Sequence, residues 1–198
     1  MTVQLIVGLG NPGDKYASTR HNAGVWFLEA IQARYGCTFK SEKKFFGAYT
    51  SVVIEGQEVR LLMPATYMNE SGRSVSAVIK FFRIDPANLL VAHDELDLTP
   101  GVVKIKAGGG LAGHNGLKDI SQSLSGYQSY QRMRIGIGRP GAGDVTHYVL
   151  KAPGGADRQL IDASIERALS VLPDLVAGRA EAAMLKLHTR SESLPNKE

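Results

Sequence analysis

The sequence predicts an α/β protein, a single domain in which helices cover a twisted, mixed β-sheet of about seven strands. Apolar runs bounded by glycine and proline alternate with segments of helical periodicity, as in a sheet covered by helices. Only Gly56-Gln57 separates two of these runs, which indicates a hairpin, whereas longer crossovers join the others. We therefore expect antiparallel strands beside a largely parallel core. The chain has 198 residues, long enough to bury one core without a disulfide.

Seven segments have the composition of β-strands, because each is a short apolar run bounded by turn residues. They are residues 4–9, 49–55, 58–63, 89–93, 102–106, 133–138 and 145–150. The second and third form the hairpin, and all seven are expected in one sheet.

Two helices are predicted in the first half of the chain from apolar residues spaced three and four apart. The first begins near Asn22, and its apolar positions are Val25, Trp26, Leu28 and Ile31. The second is expected to have Ser71 as its N-cap and to stop before Pro86, with Val75, Val78, Ile79 and Phe82 facing the core. Asn69 then lies just before a helix N-terminus.

Three further helices are predicted in the second half. One follows Asn115-Gly116, one covers residues 157–172 and one covers residues 180–187. We expect residues 1–188 to form the domain and residues 189–198 to be a polar, frayed tail. There is no internal repeat or low-complexity tract.

Composition limits the class of protein more than its function. Hydrophobic residues make up 43% and charged residues 21% of the chain, which excludes a disordered or fibrous protein. The single cysteine, Cys37, has no partner for a disulfide, and the apolar residues at the start follow no positive leader. We therefore expect a cytoplasmic protein without a membrane segment. The formal charge of +4 allows an anionic partner but does not require one.

The segment Gly8-Leu9-Gly10-Asn11-Pro12-Gly13 matches the glycine pattern of dinucleotide-binding loops and follows a predicted strand. Such a loop opens a helix at once, so that the helix N-terminus meets the pyrophosphate. Here Asp14 and a polar run to His21 intervene, and Pro12 removes a backbone donor. A nicotinamide oxidoreductase therefore remains only an alternative.

Polar residues beside turns indicate a hydrolytic site. His21 can act as a base, and the apolar run that ends in His93-Asp94-Glu95 can supply a carboxylate to orient it. Two further polar sets, Tyr67-Met68-Asn69 and His114-Asn115-Gly116, can point side-chain amides at a ligand. Asp94, Glu95 and Asp97 are too few to indicate a magnesium site, so we predict no metal and no cofactor.

Five motifs together resemble bacterial peptidyl-tRNA hydrolases in order, spacing and flanking strands. The motifs are Gly8-Leu9-Gly10-Asn11-Pro12-Gly13, Thr19-Arg20-His21-Asn22-Ala23-Gly24, Pro64-Ala65-Thr66-Tyr67-Met68-Asn69, His93-Asp94-Glu95-Leu96-Asp97 and Gly113-His114-Asn115-Gly116. The resemblance runs from Leu5 to about Leu172. It implies an enzyme that hydrolyses the ester between a peptide and the terminal ribose of tRNA, recycling tRNA from prematurely released or stalled peptidyl-tRNA.

The resemblance assigns roles to the catalytic candidates. His21 would activate water, and Asp94 would orient its ring and stabilise the imidazolium. Asn11 would help to separate peptidyl from aminoacyl esters, and Asn69 would bind the peptide backbone. Asn115 would bind the reacting ester and stabilise the oxyanion. Taken alone, each asparagine can instead be a turn or cap residue, above all Asn69, which stands close to the expected cap at Ser71.

The remaining candidates are expected to bind substrate. Tyr16 and Tyr67 match aromatic positions that contact substrate, and Met68 and His114 would line the same cleft. Lys104 and Lys106 alternate on one strand, and Arg132 and Arg134 alternate on another, which predicts a basic patch. The resemblance implies that Lys106 and Arg134 bind a tRNA phosphate. A merely solvated face is the other interpretation of these charges.

The sequence departs from the family at Leu111 and Ala112, where histidine and glycine are common. Alanine resists positive φ, so the motion of this loop or substrate entry can differ. The implied partners are peptidyl-tRNA and ribosomal subunits that carry stalled peptidyl-tRNA, and the implied state is a monomer. A relative that binds RNA on the same scaffold without catalysis is the second alternative, because binding needs basic surface but no base.

Overall fold

A seven-stranded sheet lies between two layers of helices in the computed structural model, which describes residues 2–191. The strands are β1 Leu5–Gly8, β2 Lys40–Glu42, β3 Gly47–Ile54, β4 Gln57–Pro64, β5 Leu89–Glu95, β6 Val103–Ala107 and β7 Gln131–Gly136. The helices are α1 Asp14–Ala17, α2 Ala23–Tyr35, α3 Ser71–Phe82, α4 Asn115–Ser123, α5 Val145–Val149, α6 Gly155–Val176 and α7 Ala180–Ser191. The predicted α/β class is confirmed.

The strand order is β2-β3-β4-β1-β5-β7-β6. The four central strands β4, β1, β5 and β7 run parallel, and β2, β3 and β6 are antiparallel to their neighbours. The sheet is therefore mixed with a parallel core, as predicted. Its topology brings the carboxyl ends of β1 and β5 side by side, which is where open α/β sheets form ligand clefts.

Each face of the sheet has its own apolar core. Helices α2, α6 and α7 cover one face, where Ile6 and Ala92 are fully buried. Helices α3 and α4 cover the other face, where Val7 and Val91 are fully buried. Because the central strands are buried on both faces, they are continuous apolar runs in the sequence rather than alternating ones. For this reason the central strands could be predicted from the sequence.

One predicted strand is wrong. Residues 145–150 were expected to extend the sheet, but Val145–Val149 form helix α5. The Asp144 side chain accepts a hydrogen bond from the Thr146 N–H at 3.0 Å and so caps this helix. Valine, threonine and tyrosine favour strands, but local capping and the contact of α5 with the turn at Arg20–Asn22 override that preference.

Strand β2 takes the seventh place in the sheet and was not predicted. It is a short edge strand of Lys40, Ser41 and Glu42, with none of its residues fully buried. Such a strand has no apolar pattern to detect, and charged residues are typical of sheet edges. The hairpin between β3 and β4 is confirmed, but Glu55 and Gly56 form its turn, with φ values of 51° and 72°.

The helix boundaries differ from the predictions at several ends. Ser71 is not an N-cap but the first residue of α3, and its hydroxyl donates to the Met68 carbonyl at 2.7 Å. Helix α3 ends at Phe82, where Arg83 adopts a left-handed conformation, so Pro86 does not terminate it. Helix α6 continues through Pro173 to Val176.

Helix α7 continues to Ser191 and so includes the first residues of the predicted frayed tail. The rest of that tail, residues 192–198, lies outside the described residues. Within residues 2–191, no helix combines the length and apolar character needed to cross a membrane.

Gly8 and Gly24 allow the N-terminus of α2 to lie directly on the sheet. A Cβ atom at Gly8 would overlap the carbonyl oxygen of Gly24, and one at Gly24 would overlap that of Ala92. Helix α1, which follows the glycine loop, has only four residues. These glycines therefore serve close packing, and the geometry does not support a dinucleotide-binding loop.

Candidate active site

A cleft of about 500 Å³ opens at the carboxyl ends of β1 and β5. It holds most of the predicted site residues: Asn11, His21, Tyr67, Met68, Asn69, Asp94, His114 and Asn115 all line it. They come from five separate segments that the parallel topology brings to one edge of the sheet.

His21 and Asp94 are in direct contact, as the sequence predicts. His21 lies in a 3₁₀ turn over Arg20–Asn22, and Asp94 lies near the end of β5. The His21 Nδ1 donates to Asp94 Oδ1 at 2.9 Å and to Oδ2 at 3.0 Å. An ionised carboxylate only accepts, so this contact places the proton on Nδ1 and leaves Nε2 as the basic nitrogen.

The protonation of this pair follows from burial and charge. Burial alone would lower the pKa of His21, but attraction to Asp94 and the hydrogen bond with it outweigh burial and raise the pKa above 6.5. Burial alone would raise the pKa of Asp94, but His21 and His114 hold it well below its usual range. Asp94 is therefore a carboxylate at neutral pH, and it stabilises the protonated form of His21.

Asp94 has a second imidazole partner that the sequence did not reveal. His114 Nε2 lies 3.0 Å from Asp94 Oδ1, and His114 Nδ1 accepts the Gly116 N–H at 3.2 Å as the N-cap of α4. Because Nδ1 accepts, a neutral His114 carries its proton on Nε2 and donates it to Asp94. His114 was expected only to line the cleft. Its i+2 glycine at a helix start is the signal that could have indicated the cap.

His21, Asp94 and His114 are also the cluster most able to hold a metal among residues 2–191, since their ligand atoms lie within 4.8 Å of one another. The tautomer of His114 does not suit a metal, because it presents N–H rather than a lone pair to the cluster. The nearby carboxylates bind arginines instead: Glu95 pairs with Arg134 at 2.9 Å and Asp97 pairs with Arg139 at 2.6 Å.

His93 contacts both Asp94 and His114. It is 1% exposed, its Nδ1 donates to the Asp94 carbonyl at 2.7 Å, and its ring meets His114 edge-on at 5.1 Å between centroids. Burial is the main cause that lowers the pKa of His93 to about 3, and His114 adds to it. His93 is therefore neutral, and its ring forms a floor for the imidazole of His114.

Asn11 is tied to the opposite wall of the cleft. Its Oδ1 accepts the Met68 N–H at 2.9 Å. The Asn22 side chain holds the Asn11 backbone at both its N–H, 2.9 Å, and its carbonyl, 3.0 Å. Since Oδ1 is occupied, the Asn11 amide NH₂ is the group available to a ligand.

The other polar candidates lie at the mouth of the cleft. Asn69 is exposed in the 3₁₀ turn Met68–Glu70, and Asn115 is exposed as the first residue of α4. Tyr67 is 55% exposed, whereas Met68 is buried beneath it. A Cβ at Gly116 would lie 2.6 Å from the Met68 Sδ, so the wall depends on this glycine.

Tyr16 is the aromatic candidate that the structure does not place in the cleft lining. It lies on α1 and is half-buried, with the Lys15 ammonium 4.7 Å from its ring centroid.

The predicted basic residues share one face of the sheet. Strands β6 and β7 pair Lys104 with Arg134 and Lys106 with Arg132. Lys106 is exposed, and Arg134 is half-buried with its Nε on Glu95. Because Glu95 also lines the cleft, this face continues into it. Arg132 differs from the other three, since it is 2% exposed and turned onto the loop that follows β6.

An apolar wall lines the cleft, and it was not predicted from the sequence. Leu96, Val145, Val149 and Leu150 form it, three of them from the segment predicted as a strand. Arg20 holds this wall, because its guanidinium donates to the carbonyls of Lys151 at 3.2 Å and Ala152 at 3.1 Å. Arg20 therefore points away from the site, although it precedes His21.

A buried carboxylate holds an imidazole beside an amide-lined cleft, which is the arrangement of a hydrolase that activates water by general base catalysis. The chain matches the family described as peptidyl-tRNA hydrolase over residues 5–195. It therefore belongs to the peptidyl-tRNA hydrolase family, enzymes that hydrolyse the ester bond of peptidyl-tRNA.

Solved structures agree with the family. The chain is 48% identical to peptidyl-tRNA hydrolase from Acinetobacter baumannii, with a TM-score of 0.90 over 93% of this chain and 94% of that one. A single-substitution variant of the Acinetobacter baumannii enzyme gives 49% identity and a TM-score of 0.91, covering 94% of each chain. A complex of a peptidyl-tRNA hydrolase with N-propanol gives 48% identity and a TM-score of 0.90, covering 93% of this chain and 94% of that one.

Proposed function

We propose that His21 is the general base of this hydrolase and Asp94 its orienting carboxylate. The observation that carries the proposal is the contact of His21 Nδ1 with both oxygens of Asp94, at 2.9 and 3.0 Å. It leaves Nε2 as the nitrogen that can take a proton from water. General base catalysis of this kind contributes about 10² to 10⁴-fold.

The reaction would proceed in two proton transfers. His21 Nε2 takes a proton from water as the water oxygen attacks the ester carbonyl, and Asp94 stabilises the imidazolium. The tetrahedral intermediate then expels the ribose 3′ oxygen, or the 2′ oxygen of its isomer, which receives the proton from His21. The products are a peptide with a free carboxylate and intact tRNA. The exposed amide of Asn115, at the start of α4, would donate to the oxyanion.

The selectivity for peptidyl esters is assigned to Asn11. Its Oδ1 is occupied by the Met68 N–H, so its NH₂ would donate to a carbonyl of the peptide. An aminoacyl ester places an ammonium group there instead, and two donors would face each other. Asn69 would bind the peptide backbone. Tyr16, Tyr67 and Met68 would contact substrate without selecting side chains, and Lys106 and Arg134 would bind a tRNA phosphate.

The first experiment compares N-acetyl-aminoacyl-tRNA with the unblocked aminoacyl-tRNA, in the presence of a chelator. Wild type should cleave the blocked ester selectively, His21→Ala should lose cleavage, and Asn11→Ala should lose selectivity. His147→Ala is the matched control, because His147 is exposed and lies outside the cleft lining. Full activity of a folded His21→Ala variant would refute the role of this residue. Folded wild type that binds tRNA without cleavage would favour the catalytically idle alternative.

We further propose that the enzyme acts in the cytoplasm as a monomer. The single cysteine and the family support this setting. Ribosomal subunits that carry stalled peptidyl-tRNA would be a second source of substrate. Light scattering should give the mass of one chain, 21.3 kDa, and about twice that mass would contradict the monomer.

A further inference from the structure

Arg132 is a buried arginine on β7 whose side chain serves the backbone of one loop. Its Nη1 donates to the Gly110 carbonyl at 2.9 Å, and its Nη2 donates to the carbonyls of Gly108 and Gly109. The residue is only 2% exposed. Three consecutive carbonyl groups therefore accept from a single guanidinium.

No carboxylate among residues 2–191 pairs with this guanidinium. The charge of Glu95 acts on Arg132, but the Glu95 carboxylate accepts from the Arg134 Nε at 2.9 Å instead. Leaving a charge buried is costly unless hydrogen bonds compensate it, and here the loop carbonyls do so. Arg132 and the loop thus stabilise each other: removing the arginine leaves three carbonyls without their donor.

The loop has few other restraints. Gly108, Gly109 and Ala112 all have positive φ, at 65°, 80° and 49°, so the segment cannot form a helix or strand. Its main-chain bonds at the two ends are Gly108 N–H to the Tyr130 carbonyl, 3.4 Å, and His114 N–H to the Leu111 carbonyl, 2.9 Å. Between these ends, Arg132 holds the backbone.

The loop leads directly into the site. His114 follows it, caps α4 through Gly116 and donates to Asp94 at 3.0 Å. Asn115 comes next. A displacement of about 1 Å in such a segment can lower a rate by about a hundredfold, because catalytic hydrogen bonds depend steeply on geometry.

We propose that Arg132 is a positioning residue for hydrolysis, which holds the loop over residues 108–110 so that His114 stays on Asp94, and that it is not part of the tRNA-binding basic face. Arg132 must be distinguished from the basic face because it stands beside basic residues in the sheet. Lys106 lies opposite Arg132 across the β6–β7 pair, and the alternation of basic residues in the sequence groups both with Arg134 in one basic patch. Burial separates them: Lys106 is exposed and Arg132 is not.

The test uses two substrates that differ in the tRNA body. One is N-acetyl-aminoacyl-tRNA, and the other is the same blocked ester on a short 3′ oligonucleotide. Arg132→Met, Arg132→Lys and Lys106→Met are compared, with Arg34→Met as the control because Arg34 pairs with Glu166 on the surface and lies outside the cleft lining. For each protein, kcat and KM are measured at several salt concentrations.

A positioning role predicts a loss of kcat on both substrates. Arg132→Met should lower kcat about ten- to a hundredfold, with KM changed less than about twofold and its salt dependence unchanged. Arg132→Lys should recover part of the loss, because an ammonium can reach some but not all three carbonyls. Lys106→Met should instead raise KM for the tRNA substrate alone and reduce the salt slope by about one.

A separate measurement reports on the loop itself. Amide hydrogen exchange across residues 108–115 should be faster in Arg132→Lys than in wild type, while the thermal unfolding midpoint shows that Arg132→Lys remains folded. If Arg132→Met does not fold, Arg132→Lys alone still tests the proposal through its kcat on both substrates. Higher KM on tRNA only, with a reduced salt slope, would overturn the proposal, as would unchanged kcat in folded variants.

Discussion

Replacing Asp94 by asparagine keeps the size of the side chain but removes the charge and one acceptor. Asp94 Oδ1 accepts from His114 at 3.0 Å and Oδ2 faces His21 Nδ1 at 3.0 Å. In the variant one of these positions holds an NH₂ group. If it faces His21, the ring must offer Nδ1 as an acceptor and carry its proton on Nε2, which then cannot act as a base.

The expected loss is large because the base and its electrostatic support disappear together. Comparable replacements in hydrolytic triads lower kcat by about 10⁴-fold, and we expect about 10³ to 10⁴-fold here. This corresponds to about 4 to 5.5 kcal/mol of transition-state stabilisation. KM should change little, because Asp94 is buried beneath His21 and is not offered to tRNA.

The assay is single-turnover cleavage of N-acetyl-aminoacyl-tRNA across pH. Asp162→Asn is the matched control, since Asp162 forms an exposed pair with Arg158 on α6. Asp94 raises the pKa of His21, so the residual activity of Asp94→Asn should persist to lower pH than that of wild type. A loss of less than about tenfold, or an acid limb that does not move, would refute the role given to Asp94.

The acid limb of kcat/KM should have a midpoint above 6.5, because the raised pKa of His21 means that protonation inactivates the base already above that pH, as a pH–rate profile will show. Asn11→Ala should also lower the free energy of unfolding, measured in urea, by about 1 to 3 kcal/mol, because the Met68 N–H loses its acceptor. Asn11→Asp keeps that acceptor and should lose only the selectivity for peptidyl over aminoacyl esters. Ala112→Gly should raise the free energy of unfolding by about 1 kcal/mol, because φ is 49° there, and a lower value would contradict the strain.

Leu111 and Ala112 stand where the family commonly has histidine and glycine. Alanine was expected to resist positive φ, and Ala112 nevertheless adopts it. The surrounding contacts impose this conformation: Arg132 holds the carbonyls before it, and the cap at His114 holds the backbone after it. The loop therefore keeps its course despite the substitution, at some expense in local stability.

Elements buried on both faces could be predicted from the sequence, because continuous apolar runs leave them no other environment. Strand β5 is the best example, since every residue from Leu89 to Glu95 is buried. Strand β2 could not be predicted, because a three-residue exposed edge has no pattern. Helix α5 was mistaken for a strand, because its β-branched residues favour strands and its contacts with the Arg20 turn are distant in sequence.

In the candidate site, too, some features could be predicted from the local sequence and others could not. The positions of His21, Asn69 and Asn115 beside turns are properties of the local sequence. The second partner of Asp94, the bond that occupies Asn11 Oδ1, and the inward course of Arg132 are not. All of these contacts join residues at least 20 positions apart, so no local pattern contains them.

The class of fold, the central strands and most helices could be predicted from the sequence, as could the positions of the reactive residues at the ends of strands and at turns. These properties follow from hydrophobic periodicity and turn chemistry, which act between near neighbours along the chain. The second imidazole on Asp94 and the burial of Arg132 became visible only in the folded protein. Hydrogen-bond partners and burial depend on which segments the folded sheet brings together, and that is a property of the whole chain.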